Sequence, residues 1–513
     1  MSVRRVMGIE TELGITSSQI TAHGDPVSPM VLSGQVVRAY AAGAGPQAAM
    51  WTGAGWDYAD ETPLRDARGY EMARALAHVS QLTDLEDPTI ATSVLSNGAR
   101  FYVDHAHPEY SAPETTSPRE AVRYDRAGEL VARLAVETLE EDGREVRLYK
   151  NNVDGKGASY GTHENFLVPR TVPFDRLAQQ LIPFLVARPV IAGSGRVGIG
   201  QASERAGFQL SQRADYLEAE IGLETTLRRP IVNTRDEPHA TPHVHRRLHV
   251  IVGDATMADV TTLLAVGSLS GVLRVIETHP ELVPDVRPLH PVAAAHTISH
   301  DPTLRATVPT RDGRRLSGLD VLEAYLEAVE RAAGSGHDAW PGDDYTAEVL
   351  TRWRGVLDAL RRDPVEAVEQ VEWVAKLALL ERFRQRAGVG WDDPRLAAMD
   401  IQWHDLDPVR GLAQKLRAAG RLERLVPDEA VATAVTQPPE DTRAWFRGEC
   451  VRRFGTDVRA ASWDSVVMVD EGGRLRRVRV PEPTHATRER VEALLARHTR
   501  TASLLTELAS EDV

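Results

Sequence analysis

Three short stretches carry acids, an arginine, a tyrosine and a histidine at the two-residue spacing that puts side chains on one face of a strand. In RVMGIETELG, Glu10 and Glu12 share a face, with Ile9, Thr11 and Leu13 on the other. In GARFYVDHAHPEYSAPE, Arg100, Tyr102 and Asp104 share a face, Phe101 and Val103 point the other way, and Glu109 follows just past the strand end. In RRLHVIVGD, Leu248, Val250 and Val252 form an apolar face, His249 points opposite, and Arg247 is assigned to the core-facing side. One acid on the polar face of a strand is ordinarily only solvated. Three strands with the same habit argue for a shared site. Carboxylates with a few histidines and no thiol suit Mg²⁺ or Mn²⁺, ions that commonly hold a nucleotide's phosphates.

A fourth stretch, NNVDGKGASYGTHENF at residues 151–166, ends in His163 and Glu164. It lacks the G-x-x-x-x-G-K-[ST] spacing of a phosphate-binding loop. Its glycines permit tight backbone, and Lys150 and Lys156 are expected to supply charge, so a nucleotide or metal role and a plain polar loop both remain open. Two histidine groups compete: His239, His243, His245 and His249, and His290, His296 and His300. Neither has the helical spacing of a zinc peptidase, and the second group reads as packing or surface.

These residues must be positioned by strands expected at 3–13, 99–105, 146–151, 205–213 and 246–254. Helical periodicity falls at 119–142, 175–188, 256–278, 317–333 and 364–387. No regular βαβ rhythm links them, so an α+β fold with an antiparallel sheet is expected. Residues 36–79, rich in Ala and Gly with isolated aromatics, read as a long mobile loop. The PDEAVATAVTQPPEDT segment at 427–442 marks a boundary, dividing the chain into 1–435 and a small C-terminal domain, 436–513. That domain is expected to hold a Gly-Gly hairpin in DSVVMVDEGGRLRRVRV and a helix over 486–508.

The chain of 513 residues has 60 basic and 74 acidic side chains, a net charge of −14. That balance argues against nucleic-acid binding, which needs a basic face. The single cysteine, Cys450, excludes an internal disulfide and a Cys-based zinc site. The N-terminal residues lack the apolar core of a signal peptide, and no run is expected to span a membrane. A cytoplasmic protein is the expectation.

Together MGIETELGI, SNGARFYVDHAHPEYSAPE, YKNNVDGKGASYGTHENFLVPR, TRDEPHA, RRLHVIVGDATM and ASWDSVV resemble the Dop/PafA family, the deamidase/depupylase and the ligase of the prokaryotic ubiquitin-like protein Pup. The resemblance runs from residue 3 to about 480. It implies a glutamine synthetase-like fold: a curved antiparallel sheet backed by helices, plus a small C-terminal domain. Three features resemble the deamidase/depupylase branch: the 36–79 segment with WDYADETPLRDARG, Thr162 in GKGASYGTHEN, and VDHAHPEYS. GIETEL is closer to the ligase's wording, and Thr256 in GDATM stands where the family usually has Asn.

The resemblance further implies ATP and Mg²⁺ as cofactors and Pup and pupylated proteins as partners, for a chain that acts as a monomer. The activity implied is deamidation of the C-terminal glutamine of Pup and cleavage of the Pup–lysine isopeptide; the alternative is ligation through an activated C-terminal glutamate. Glu10, Tyr102, Glu109, His163 and His249 match metal-ligand positions, and a direct and a supporting place fit Glu12 equally. Asp104 matches the catalytic acid, as nucleophile, as base for water, or beside a phosphate generated from ATP that itself attacks. Arg100 matches a phosphate contact. Trp463 matches an adenine-side contact, or else a buried aromatic joining two domains. Arg213 and Arg235 are candidates for holding the acidic tail of Pup.

Overall fold

The computed structural model describes residues 4–42, 54–77, 91–226, 228–334 and 345–510. Its centre is a six-stranded sheet, antiparallel throughout. In spatial order its strands are His245–Val250, Thr162–Pro169, Met7–Glu12, His107–Ser111, Arg100–Asp104 and Thr92–Val94. Alternation sets its two faces. Met7, Ile9, Phe166, Val168, Leu248 and Val250 point to one side and join the main core with the helices Phe174–Ala187 and Asp259–Thr278. The fold is α+β, as the mixed periodicities predict.

The helix Pro118–Glu141 supports the strands that carry the acids. It starts where Ser117 accepts from the Glu120 N–H at 3.2 Å with Pro118 in the first turn, satisfying a backbone donor that a helix end otherwise leaves bare. Gly128 sits where this helix crosses the Tyr110 ring: a Cβ there would stand 2.4 Å from a ring carbon. Glycine in mid-helix is costly in isolation, and here it lets the sheet and helix close. The Tyr110 hydroxyl is held by Asn97 at 3.0 Å, so the strand bearing Glu109 is fixed from behind.

Three helices match expectation within a residue: Pro118–Glu141, Phe174–Ala187 and Gly318–Gly334. The pattern at 364–387 divides into a 3₁₀ turn at Pro364–Ala367 and a helix at Glu372–Ala387, and 486–508 divides into Arg488–Arg497 and Thr501–Ser510. The expectation that no segment is long and apolar enough to cross a membrane needs correction. The helix Asp259–Thr278 meets that test, and its apolar window is wholly buried in the core.

The 36–79 segment also differs from expectation. Residues 36–42 close the helix Pro29–Ala42, whose Val36, Val37 and Tyr40 are buried; alanine and branched apolar residues at helical spacing bury a face, so this part is no loop. Residues 43–53 and 78–79 lie outside the described residues. Between them, Gly55–Trp56 pairs in parallel with Val458–Ala461 and becomes the fourth strand of a C-terminal sheet with Ser465–Val469 and Leu475–Arg479. Arg65–Asp66 and Tyr70–Glu71 form a short hairpin. That hairpin is tied to residues 234–237: the Ala67 N–H donates to Thr234 O at 2.8 Å, the Asp236 N–H to Arg65 O at 2.9 Å, and the Thr62 N–H to Glu237 at 2.8 Å. The C-terminal sheet is joined to the main sheet through Arg443 and Arg447. Both pair with Glu114, and Arg447 also donates to Gly98 O and Trp463 O.

Candidate active site

Strand register assembles the site on the sheet face opposite the core. Glu10 stands across from His163, Glu12 from Glu109, Tyr102 from Glu109, and Asn165 from His249. Two groups of ligating side chains result. Glu10, His163 and His249 bring their donor atoms within 4.8 Å of one another, and so do Glu12, Asp104 and Glu109.

The first group centres on a neutral imidazole. Burial, then Arg247 and His163, hold the His249 imidazole well below its usual range. Its Nδ1 lies 3.1 Å from both the Asn165 side-chain oxygen and Arg247 Nη1, and its Nε2 is buried without a hydrogen-bond partner among the described residues. Nδ1 is thus taken up by its neighbours and Nε2 is the ring nitrogen open to a further ligand, the second-sphere arrangement of metal-bound histidines. The Asn165 amide also donates to Glu10 at 2.8 Å. Burial pushes Glu10 up, but His163 at 3.4 Å and Arg247 outweigh it and keep Glu10 ionised. Arg247 therefore lies on the site face, against the sequence expectation: it is two residues from His249, shares its parity, and donates to Asn165 at 2.9 Å.

The second group gathers like charges. Burial and then Asp104, Glu10 and Glu12 hold Glu109 well above the usual carboxylate range. Burial and Asp104 also raise Glu12, although the Gly161 N–H donates to it at 2.7 Å. Asp104 goes the other way. Burial pushes it up, but a hydrogen bond from His105 and the charges of His163 and Arg100 bring it below its usual range. Three clustered carboxylates beside a buried imidazole fit hard divalent ions with oxygen and imidazole ligands. The Tyr102 hydroxyl donates to Glu109, and burial and Glu109 keep the phenol protonated. Among the described residues, then, Glu12 completes the carboxylate trio and Tyr102 stands behind Glu109.

The remaining candidates surround these groups. Arg100 stacks on Tyr102 at 3.8 Å and on Trp56 at 4.2 Å, and its Nη2 donates to the Tyr58 hydroxyl at 3.3 Å. Trp463 meets Trp56 edge-on at 5.3 Å. A cleft is lined by Gly8, Glu10, Asn165, His239, Arg247 and Trp463 among others, so a carboxylate and an indole share its wall. Arg213 is buried, donates to Tyr160 O at 2.6 Å and adjoins Arg229; burial and that neighbour depress it to about 9. Neither arginine has a carboxylate partner among the described residues. Arg235 lies 3.7 Å from Glu237.

The glycine-rich stretch is a positioning loop. The Asp154 carboxylate accepts from the Lys156 and Ala158 N–H groups at 2.7 and 3.0 Å, which closes a turn. Asn152 accepts from the Ala255 N–H at 2.6 Å and donates to Thr162 at 3.1 Å, fixing the strand that carries His163. Lys150 is no phosphate contact: its ammonium is buried with Asp125 at 2.6 Å and Glu129 at 3.0 Å. Of the other histidines, His245 faces Glu482 and His300 faces Asp215, and among the described residues His249 alone of the two groups joins a metal-ligating cluster. Sequence reasoning missed Asn165, Trp56 and Tyr58. Asn165 was within reach, being two residues from His163 on the same strand; the two aromatics join the site only through long-range pairing.

This geometry has relatives. The family model of the Pup-ligase protein matches residues 5–467. The chain is 48% identical over 515 residues to the Pup deamidase/depupylase of Mycobacterium tuberculosis, covering 99% of this chain and 100% of that protein. It is 41% identical to the Pup–protein ligase of Acidimicrobium ferrooxidans over 78% of this chain and 88% of that one. The solved complex of Pup with its ligase PafA superposes with a TM-score of 0.77 at 31% identity, over 99% of this chain and 96% of that one. PafA in complex with ADP gives 0.72 at 32% identity, over 84% and 96%. Matched through the sheet and both ligand groups, from residue 5 to the C-terminal hairpin, the chain belongs to the Pup-ligase protein family.

Proposed function

We propose that this chain is a Pup deamidase/depupylase. It hydrolyses the side-chain amide of the C-terminal glutamine of Pup and the isopeptide between that side chain and a target lysine, with ATP and Mg²⁺ bound. The observation that carries this reading is coverage. The deamidase/depupylase of M. tuberculosis aligns over its whole length and 99% of this chain, whereas the ligase of A. ferrooxidans aligns over 78%. ATP-bound Mg²⁺ would supply positive charge to a developing oxyanion. Glu10, His163 and His249 are read as one set of ligands, and Glu109 with Glu12, backed by Tyr102, as the other. The cleft that Glu10 and Trp463 both line suits a nucleotide, with Arg100 read as a phosphate contact. The finer likeness to glutamine synthetase rests on this antiparallel sheet with its ligands on the face away from the helices.

Amide hydrolysis needs a nucleophile, charge stabilisation and a proton for the leaving amine. Asp104 is held ionised among acids, so it can attack the carbonyl or take a proton from water. Arg213 with its neighbour Arg229, and Arg235, offer positive charge to the acidic tail of Pup, which a protein of net charge −14 must present locally. Ligation is the second reading, favoured by the likeness to PafA. Incubation with ATP, Mg²⁺ and either Pup ending in glutamine, or Pup ending in glutamate plus an acceptor protein, separates the two. Ammonia release is expected; conjugates without ammonia would establish the ligase instead.

A further inference from the structure

The hairpin that carries Asp104 turns in two residues, His105 and Ala106, because Asp104 pairs directly with His107. Such hairpins need left-handed backbone in the turn, and glycine, asparagine or aspartate normally supply it. Here the left-handed residue is His105, with φ at 53°. Histidine is among the non-glycine residues that adopt this region most readily, and a left-handed residue next to a reacting group is where a functional demand on the side chain is looked for. Packing does not explain the choice, because the His105 side chain is 45% exposed. What the turn achieves is to fold the imidazole back on the preceding residue, with Nδ1 3.0 Å from Asp104 Oδ1.

Glu12 and Glu109 bring carboxylate oxygens within 4.8 Å of an Asp104 oxygen, and Arg100 and His163 act on Asp104 electrostatically. The ring contact from His105 fixes one of the two Asp104 oxygens. We infer that His105 is a positioning residue, whose ring N–H holds Asp104 Oδ1 so that Oδ2 is turned toward the scissile amide or its attacking water. This rests on Asp104 being the reacting carboxylate. The contact needs only a donor, which either a neutral or a charged imidazole provides.

The test compares His105→Gly, His105→Asn and Asp104→Asn in the full chain with ATP, Mg²⁺ and Pup ending in glutamine. Glycine suits the backbone and removes the donor, so His105→Gly should melt at or above the parent temperature. Its kcat should fall roughly 10- to 100-fold, the kinetic equivalent of one hydrogen bond to a charged group. KM for Pup and ATP affinity by calorimetry should stay within about twofold. Asparagine accepts left-handed backbone and carries a shorter N–H donor, so His105→Asn should recover part of kcat. A His105→Gly variant with parental kcat, or one whose loss falls on KM or follows a drop in melting temperature, overturns the inference while Asp104→Asn is inactive. Parental activity in Asp104→Asn overturns the reading of Asp104, and the role of His105 with it.

Discussion

Binding of Mg²⁺ should expel a proton, and the carboxylate trio sets how strongly. Glu12 and Glu109 are both buried, stand opposite each other in register, and have ligating oxygens within 4.8 Å. Two unit charges at that separation repel by about 3.5 kcal/mol at an effective dielectric of about 20. Burial, then Asp104, Glu10 and Glu12, hold Glu109 well above its ordinary value of 4.5, so the cation-free fold favours its protonated form, and a divalent ion requires it ionised. For an acid raised in the folded state, the fold binds more protons than the unfolded chain. Its stabilising contribution is full below the unfolded value and declines as pH rises through the folded one. Mg²⁺ opposes that decline, adding about 2.7 kcal/mol at 100 times its Kd, so the rise in melting temperature on adding Mg²⁺ should grow with pH. Calorimetric titration of Mg²⁺ in buffers of different ionisation enthalpy should show about one proton released, with affinity tightening up to about tenfold per pH unit. Glu109→Gln should abolish both the proton release and the Mg²⁺ shift. Heats independent of buffer, with Mg²⁺ affinity flat from about pH 5.5 to 7.5, would refute the reasoning.

Asp104→Asn should keep the fold and ATP binding and lose deamidation by at least ~10²–10⁴-fold, read as ammonia release. Gly128→Ala drives a methyl to 2.4 Å from the Tyr110 ring and should cost about 1–3 kcal/mol, measured by denaturant unfolding. Trp463→Ala should weaken ATP binding about tenfold if its ring stacks on the base, with Mg²⁺ binding at Glu12 and Glu109 unchanged. Excision of residues 54–77 removes a strand of the C-terminal sheet and should lower the melting temperature, where a free loop would leave it unmoved.

The site was legible in the sequence wherever one strand's alternation sufficed. Glu10 and Glu12, Tyr102 and Asp104, and His249 each announce a polar face against an apolar one, and the register then stacks those faces. Arg247 was misassigned through its parity, although its two-residue spacing from His249 carries the correct answer. Lys150 was expected to supply charge beside the glycine-rich loop, and only the fold brings Asp125 and Glu129 to pair with it. Trp56 was beyond local reasoning altogether. Its partner strand lies some four hundred residues downstream, and no periodicity in a two-residue strand signals such a pairing.

That pairing bears on how the protein is made. The Asp57 carboxylate accepts from Ser465 across a separation of 408 residues, and Arg4 bonds Asp441 across 437. Contacts so distant in the chain form slowly, because the intervening loop must close first. At a synthesis rate of about 5–20 residues per second, residues 54–57 leave the ribosome tens of seconds before residues 458–465 exist. During that interval Arg100 has no Trp56 wall fixed against Trp463, and the part of the cleft lined by Trp463 is unmade. A nascent chain therefore cannot assemble the indole wall of its cleft until its last strands emerge. Fragments cut short before residue 458 would carry all of the candidate metal ligands and still lack Trp463 and the strand that Trp56 pairs with, so hydrolytic competence would arrive only with the nearly finished chain.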